Sequence, residues 1–390
     1  MKKAKIIVAV LLLTFVLSVP VVFADVSEEN GLAELNQNVQ EELSSLNLGG
    51  LDEIVANLDL DGQKIFSQTS FLDKVNALLS GENVDVGSFL SIVLHTFFDD
   101  FFKLVPLLFT IVAITFLCSI ISSLRSKVGE ASVEKIITFV CFAAIVVMLS
   151  GCVINLIKST VDTVENLKTQ MDVAFPVLLT LLASIGGVNS VSVFQPLLAV
   201  VSNIVVQVFC YLLLPLVSVM IVFCVVEHIS DVKLDKFSSL FKSVFKWGSL
   251  GTFSLLTLAM MVGGAMAGSF DSLSIKATKF ALNSYVPVVG GVLSDGVGLV
   301  AVSGMLIKNA VGVGGIILAV SSAIFPIISV LVFSMGLKLT AAVTQPSSTK
   351  VSALLSDLAK TVELLVAILA SVGFMYLIAL GIIINTANVF

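Results

Sequence analysis

SYVPVVGGVLSDGVGLVAVSGMLIKNAVGVGG, residues 284–315, is the stretch on which the fold turns. It is apolar enough for a bilayer, yet eight of its 32 residues are glycine, and Asp295 and Lys308 interrupt the apolar run. The surrounding apolar segment, Pro287 to Ala323, is 37 residues, about 55 Å as a helix against a hydrocarbon core of ~30 Å. One crossing does not use that length. The spacing therefore predicts two spans or a re-entrant hairpin, holding Pro287, Gly290, Gly291, Asp295, Gly304 and Lys308. Asp295 and Lys308 would lie about 20 Å apart on a straight helix, on opposite faces, so they meet only if the chain turns between them, for example near Gly304. A charge facing lipid costs at least ~2.5 kcal/mol, and non-helical backbone at depth needs protein or water around it. The stretch is expected to face the protein interior or an aqueous cavity.

The rest of the chain agrees with a membrane setting. Of 390 residues, 57% are apolar and 12% charged, which predicts an all-α polytopic membrane protein. Ten crossings are expected: about 104–122, 136–157, 174–190, 193–211, 213–227, 248–268, two within 286–323, 325–341 and 362–384. Three polar connectors, 123–135, 228–247 and 342–361, hold with their flanks ten bases, among them Arg125, Lys135, Lys246 and Lys360. The opposite connectors hold four, Lys158, Lys168, Lys276 and Lys279, which predicts a cytoplasmic side for the first set.

The N-terminus fits that orientation. Lys2, Lys3 and Lys5 precede an apolar core, Ile6 to Leu17, and Val22-Phe23-Ala24 suits cleavage, so residues 1–24 read as a signal peptide. An uncleaved anchor is the alternative. Residues 25–100 then form an exported acidic helical segment, too small to bury much surface alone and expected to pack on the membrane part or on partners. Residues 101–390 form the polytopic domain. Five cysteines all fall in apolar runs, which implies packing rather than a disulfide framework.

Lys233 to Trp247 has an apolar face (Leu234, Phe237, Leu240, Phe241, Val244, Phe245) with Lys236, Lys242 and Lys246 elsewhere. Such a helix suits the membrane interface, with its lysines near anionic headgroups and Trp247 at the same depth. A cytoplasmic helix packed on its own bundle is the alternative. A shift of 111 residues also superposes Pro176 on Pro287, Lys135 on Lys246 and Pro215 on Pro326. It suggests repeat-like units at about 104–212 and 213–323, with a partial third copy at 325–390. The copy at Pro176 has its own break at Gly186-Gly187. Internal repeats are frequent in transporters and also build static scaffolds.

Catalytic chemistry is not indicated. His95 and His228 stand without a second ligand at helical spacing, and no phosphate-loop, zinc-protease or nucleophile-elbow motif occurs. Neither an enzyme nor a cofactor or metal is expected. A single arginine, Arg125, argues against nucleic-acid binding.

Specific strings carry more than composition does. KATKFALNSYVPVVGGVLSDG (276–296), MLIKNAVGVGG (305–315), IFPIISVLVF (324–333) and AAVTQPSS (341–348) resemble the stage III sporulation protein AE family of endospore-forming bacteria. The resemblance implies a multi-pass protein of the mother-cell membrane around the forespore, with its N-terminal segment in the intermembrane space. It implies as partners the other stage III sporulation membrane proteins and the forespore-side stage II protein Q, beside the lipid bilayer and self-association. The expected role is a channel-forming or permease-like subunit. A structural hub that transports nothing is the alternative, and a stand-alone secondary transporter is third. The family offers no catalytic residues to carry over.

Overall fold

The computed structural model describes residues 38–41, 43, 46, 48–68, 70–81, 86–125, 131–229, 234–285 and 290–386. The expected signal peptide, residues 1–24, and Pro287 lie outside the described residues. Three short helices come first: α1 (Gly49–Ala56), α2 (Leu60–Phe66) and α3 (Phe71–Leu79). Long helices follow: α4 (Val86–Arg125), α5 (Ala131–Ser184) and α6 (Val188–Val205). A π-helical stretch, Val206–Leu213, joins α6 to α7 (Leu214–Ile229). The chain ends in α8 (Asp235–Tyr285), α9 (Gly290–Thr344) and α10 (Thr349–Asn385). The protein is an all-α polytopic membrane protein.

Six helices among the described residues are long and apolar enough to cross a bilayer. They are Gly87–Ile121, Phe139–Ser184, Val188–Ile229, Lys236–Gly264, Val302–Thr344 and Thr349–Asn385. This corrects the ten crossings expected from apolar run lengths. The expected spans 136–157 and 174–190 are joined by residues 158–172, which continue α5 despite their charges. The spans 193–211 and 213–227 merge through the π-helical stretch. The expected hairpin at 286–323 and the span at 325–341 merge into α9.

The physical reason is that a chain reverses only where its backbone ladder stops. Proline removes one hydrogen bond but need not turn a helix when neighbours support it. Pro106, Pro176, Pro196 and Pro326 all lie inside helices. Pro215 has no N–H for the Tyr211 carbonyl, and the wider π pitch directly before it absorbs that loss. The chain does turn at Ile185–Gly187, where Gly186 takes a φ of 93°, a left-handed conformation that glycine adopts without steric cost. The two copies of the 111-residue register therefore differ. One breaks at Gly186-Gly187 and the other runs straight, and the unit boundaries at 212/213 and 323/325 fall inside continuous helices.

The bundle is much taller than a bilayer. Helices of 54, 51 and 55 residues (α5, α8, α9) run about 75–83 Å at ~1.5 Å per residue, more than twice a ~30 Å core. The ends that follow α4, α7 and α9 gather together. Ser119 Oγ donates to the Ser347 carbonyl at 3.0 Å, and His228 Nε2 lies 3.7 Å from Asp357 Oδ2. These are the connectors that hold most of the bases, so one end of the bundle is basic. Lys158 and Lys168 are placed inside α5 rather than in a loop, as Lys276 and Lys279 are inside α8.

The expected interfacial helix is also corrected. Lys236, Lys242, Lys246 and Trp247 are exposed on the first turns of α8, which continues unbroken into the span that follows. A helix lying flat in the interface would need a break after Trp247. Phe245 is buried and Phe241 packs on Phe223 with ring centroids 5.6 Å apart, so this segment belongs to the bundle.

Helices of seven to nine residues are marginal alone, and α1–α3 are held by docking. Phe71, fully buried, lies over Gly314 of α9 and stacks on Phe66 at 6.2 Å. A Cβ on Gly62 would stand 3.3 Å from the Ser321 carbonyl, and one on Gly50 would stand 2.9 Å from Val173. Ser70 caps α3, its side chain accepting from the Asp73 N–H at 3.0 Å.

Two carboxyls in this docked segment oppose each other in pH response. The Lys64 ammonium, 2.7 Å from Asp61 Oδ1, holds the Asp61 carboxyl below its ordinary value, helped by the Thr96 hydroxyl at 3.2 Å. Burial raises the Asp59 carboxyl above its ordinary value. Asp61 thus steadies the docked state at neutral pH, and that contribution is lost as pH falls through its lowered value. Asp59 does the reverse, favouring the docked state when protonated and opposing it as pH rises through its raised value. Asp61→Asn is expected to speed hydrogen exchange in residues 60–66 at neutral pH and to flatten the acceleration seen on acidification. Asp59→Asn is expected to slow it. With Lys64 exposed, each effect stays below about 1 kcal/mol.

Candidate functional site

The opening stretch is the first half of α9, and its glycines are packing surfaces rather than turns. An added Cβ at Gly312 would stand 2.3 Å from Ile384 Cγ1, and one at Gly314 would stand 3.1 Å from the Phe71 ring. Farther along, one at Gly336 would meet Leu104 and Leu108 at 2.8 Å. Glycine here lets α9 approach α10, α3 and α4 more closely than any side chain allows. Gly304 is buried inside the helix, with no turn near it, and Gly290 and Gly291 begin α9. The side chain of Asp295 lies outside the described residues.

Because α9 does not fold back, Asp295 and Lys308 stay 13 residues apart on one helix, about 20 Å along its axis. They do not form a pair across a hairpin. Lys308 is fully buried instead, its Nζ donating to the Thr386 carbonyl at 2.5 Å. Thr386 directly follows the last residue of α10, where helix carbonyls lack intrahelical partners. The side chain thus caps the end of α10 from the neighbouring helix.

Lys308 is the first of several polar contacts that tie α9 to its neighbours. Gln170 of α5 donates its amide to Ser322 Oγ at 2.6 Å. Ser329 Oγ donates to Asp100 of α4 at 2.8 Å, and Asp100 also receives Lys103 at 3.3 Å. Ser334 Oγ donates to Glu363 Oε1 of α10 at 2.9 Å, and Lys338 pairs with the same carboxylate. Beside Lys308, Ser303 is buried, and Oδ1 of Asn309 is buried without a hydrogen-bond partner. These contacts form a polar seam along α9, each bridging to a different part of the bundle. Around it α10 supplies an apolar wall, with Leu354, Leu365, Leu369, Tyr376 and Leu380 fully buried.

Reading the stretch as a broken hairpin hides this seam. Lys308, Ser322 and Ser329 fall at multiples of seven residues, and Ser334 and Lys338 at four, the signature of one helix face. That signal is legible only if the helix is allowed to run through Pro326. Of the repeat-related residues, Pro176 is exposed and lines an open cleft of about 470 Å³ under α1, with Gly50, Asp172 and Thr180. Gly186 and Gly187 form the α5–α6 turn; a Cβ on Gly187 would stand 2.7 Å from the Leu182 carbonyl. His95 pairs with Asp99 at 3.1 Å, and His228 Nδ1 bonds the Cys224 carbonyl at 2.8 Å.

Comparison with known proteins gives one consistent result. The family model for stage III sporulation protein AE matches residues 69–387, from the approach to α3 to the end of α10. The stage III sporulation protein AE of Bacillus subtilis (strain 168) is 26% identical over 285 residues, covering 72% of this chain and 71% of that protein. No solved structure matches the chain.

Proposed function

The chain belongs to the stage III sporulation protein AE family, and from that membership and the seam on α9 we propose that it is a channel-forming or permease-like subunit of the membrane complex joining mother cell and forespore. At the coarser level it is a sporulation-associated, multi-pass membrane protein. The basic end lies in the mother-cell cytoplasm by the positive-inside rule, which puts α1–α3 in the intermembrane space. Its partners are the other stage III membrane proteins and the forespore-side stage II protein Q.

The observation that carries the reading is the seam itself. Apolar packing alone would hold six such helices, and polar or ionisable groups inside a bundle commonly mark a substrate path. In this conformation α9 and α10 are closed on each other, so a path along the seam requires α9 to shift from its neighbours. The third reading, a stand-alone transporter, loses its support once Asp295 and Lys308 are separated along one helix. A hub that only assembles partners draws on a different observation. The outer part of α4 exposes Leu90, Leu94, Phe98 and Phe102 in one line, a face that another subunit can cover.

Single cysteines at Ser303, Asn309 and Ser334, in a chain lacking the five native cysteines, distinguish the two. In sporulating cells a membrane-impermeant thiol reagent is expected to label at least Ser303→Cys and Asn309→Cys. No labelling at any of the three, with full sporulation, would reject the channel reading and leave the hub.

A further inference from the structure

One outward face of the bundle differs from the rest in carrying no charge. Between Val173 and Val226 the chain has neither acid nor base. Along α6 and the π-helical stretch, Ser192, Gln195, Asn203 and Gln207 point outward, interleaved with Val193, Ala199 and Val200. Their spacing of three, eight and four residues keeps them on one side of the helix. The outward sides of α4 and α5 read otherwise, with His95, Asp99, Asp162, Glu165 and Asp172 exposed.

Within one chain these groups turn back on themselves. Ser192 Oγ donates to the Val188 carbonyl at 3.0 Å, and the Asn203 amide donates to the Ala199 carbonyl at 2.7 Å. The side chains of Gln195 and Gln207 bond to no other residue.

Neither lipid nor water matches this face. The helix containing it is 42 residues long, about 63 Å, and a ~30 Å core covers at most half of that. Counted from Ile229 at the basic end, Gln207 to Ser192 stand about 33–55 Å along the helix. Outside the core, exposed Val188, Val193 and Val200 with no flanking charge have the composition of an interface centre. Inside it, unpaired carboxamides would be costly.

We propose that this face of α6, from Val188 to Gln207, is where two copies of the chain meet. A carboxamide both donates and accepts, so a face of amides, hydroxyls and valines is complementary to itself and requires no opposite charge from its partner. A symmetric dimer brings each residue near its own copy or a close neighbour, and interhelical amide bonds replace the back-bonds seen within one chain. The interface does not depend on the chain being a channel.

The test uses the full chain in membranes, with the five native cysteines replaced. Gln195→Cys, Ala199→Cys and Asn203→Cys are each oxidised, with His95→Cys and Asp162→Cys as controls on α4 and α5. A disulfide-linked product of twice the chain mass is expected at the α6 positions and not at the controls. No such product on α6, equal product at the controls, or a product of another mass would overturn the proposal; the last would point to a different partner protein. A second measurement keeps the native cysteines: Gln195→Leu, Asn203→Leu and Gln207→Leu combined, counted by single-molecule photobleaching. The dimer-to-monomer ratio is expected to fall about tenfold, and an unchanged ratio overturns the interface. Dimers that form while Ser303→Cys and Asn309→Cys stay unlabelled would sink the channel reading alone.

Discussion

Gly312→Leu is expected to prevent α9 and α10 from closing and to remove most folded protein from the membrane. The first added atom would lie 2.3 Å from Ile384 Cγ1 and 2.6 Å from its Cδ1, both well inside van der Waals contact. Ile384 is buried and stiff about its first side-chain torsion, so it has little freedom to retreat. Overpacking of this kind costs about 1–3 kcal/mol or more. Gly312→Ala is the graded case. It gains up to about 1 kcal/mol of helix propensity and loses it to the same overlap, so it should come out destabilised by less. Gly151 and Gly251 provide the contrast, since a Cβ at either meets nothing within 4 Å. Gly151→Ala and Gly251→Ala are expected to be neutral or to stabilise. Thermal unfolding of the detergent-solubilised protein would rank the four variants. Rescue of Gly312→Ala by Ile384→Val would tie the effect to this contact, whereas equal loss at Gly151 and Gly312 would refute it.

This contrast shows what was legible in the sequence and what was not. Composition was enough for an all-α polytopic protein, and the strings around α9 were enough for the family. Gly186-Gly187 was read as a break, and it is one. The glycines of residues 290–315 carried the same signal and meant the opposite. A glycine that turns the chain and one that admits a neighbouring helix look alike until the neighbour is known. Apolar run length failed for a related reason. Residues 158–172 read as a connector because they hold Lys158, Asp162, Glu165, Lys168 and Asp172. Those residues are three or four apart, compatible with an outward helical face, and the Lys168–Asp172 pair sits along it. Counting crossings assumes that a membrane helix ends where the hydrocarbon does, and helices of more than 50 residues break that assumption. The seam on α9 depends on contacts with α4, α5 and α10, which no local pattern encodes.

Lys308 is where the opening stretch meets the end of the chain, and its substitution separates structure from function. Lys308→Glu is expected to be the most damaging exchange at this site. It would put a carboxylate against the Thr386 carbonyl in a fully buried place, and an uncompensated buried charge costs about 3–5 kcal/mol. Lys308→Met keeps the length and removes the polar end. It loses the cap on Thr386, but replacing a buried ionic group with a well-packed apolar one is often neutral, so the fold is expected to survive with a loss of about 1–2 kcal/mol. Hydrogen exchange at residues 380–386 should rise modestly in Lys308→Met and sharply in Lys308→Glu. If Lys308 only caps α10, Lys308→Met cells should sporulate in proportion to the folded protein they retain. If Lys308 belongs to a path along α9, they should insert the protein normally and still fail to sporulate. Equal exchange in both variants would show that the buried contact with Thr386 does not hold the end of α10.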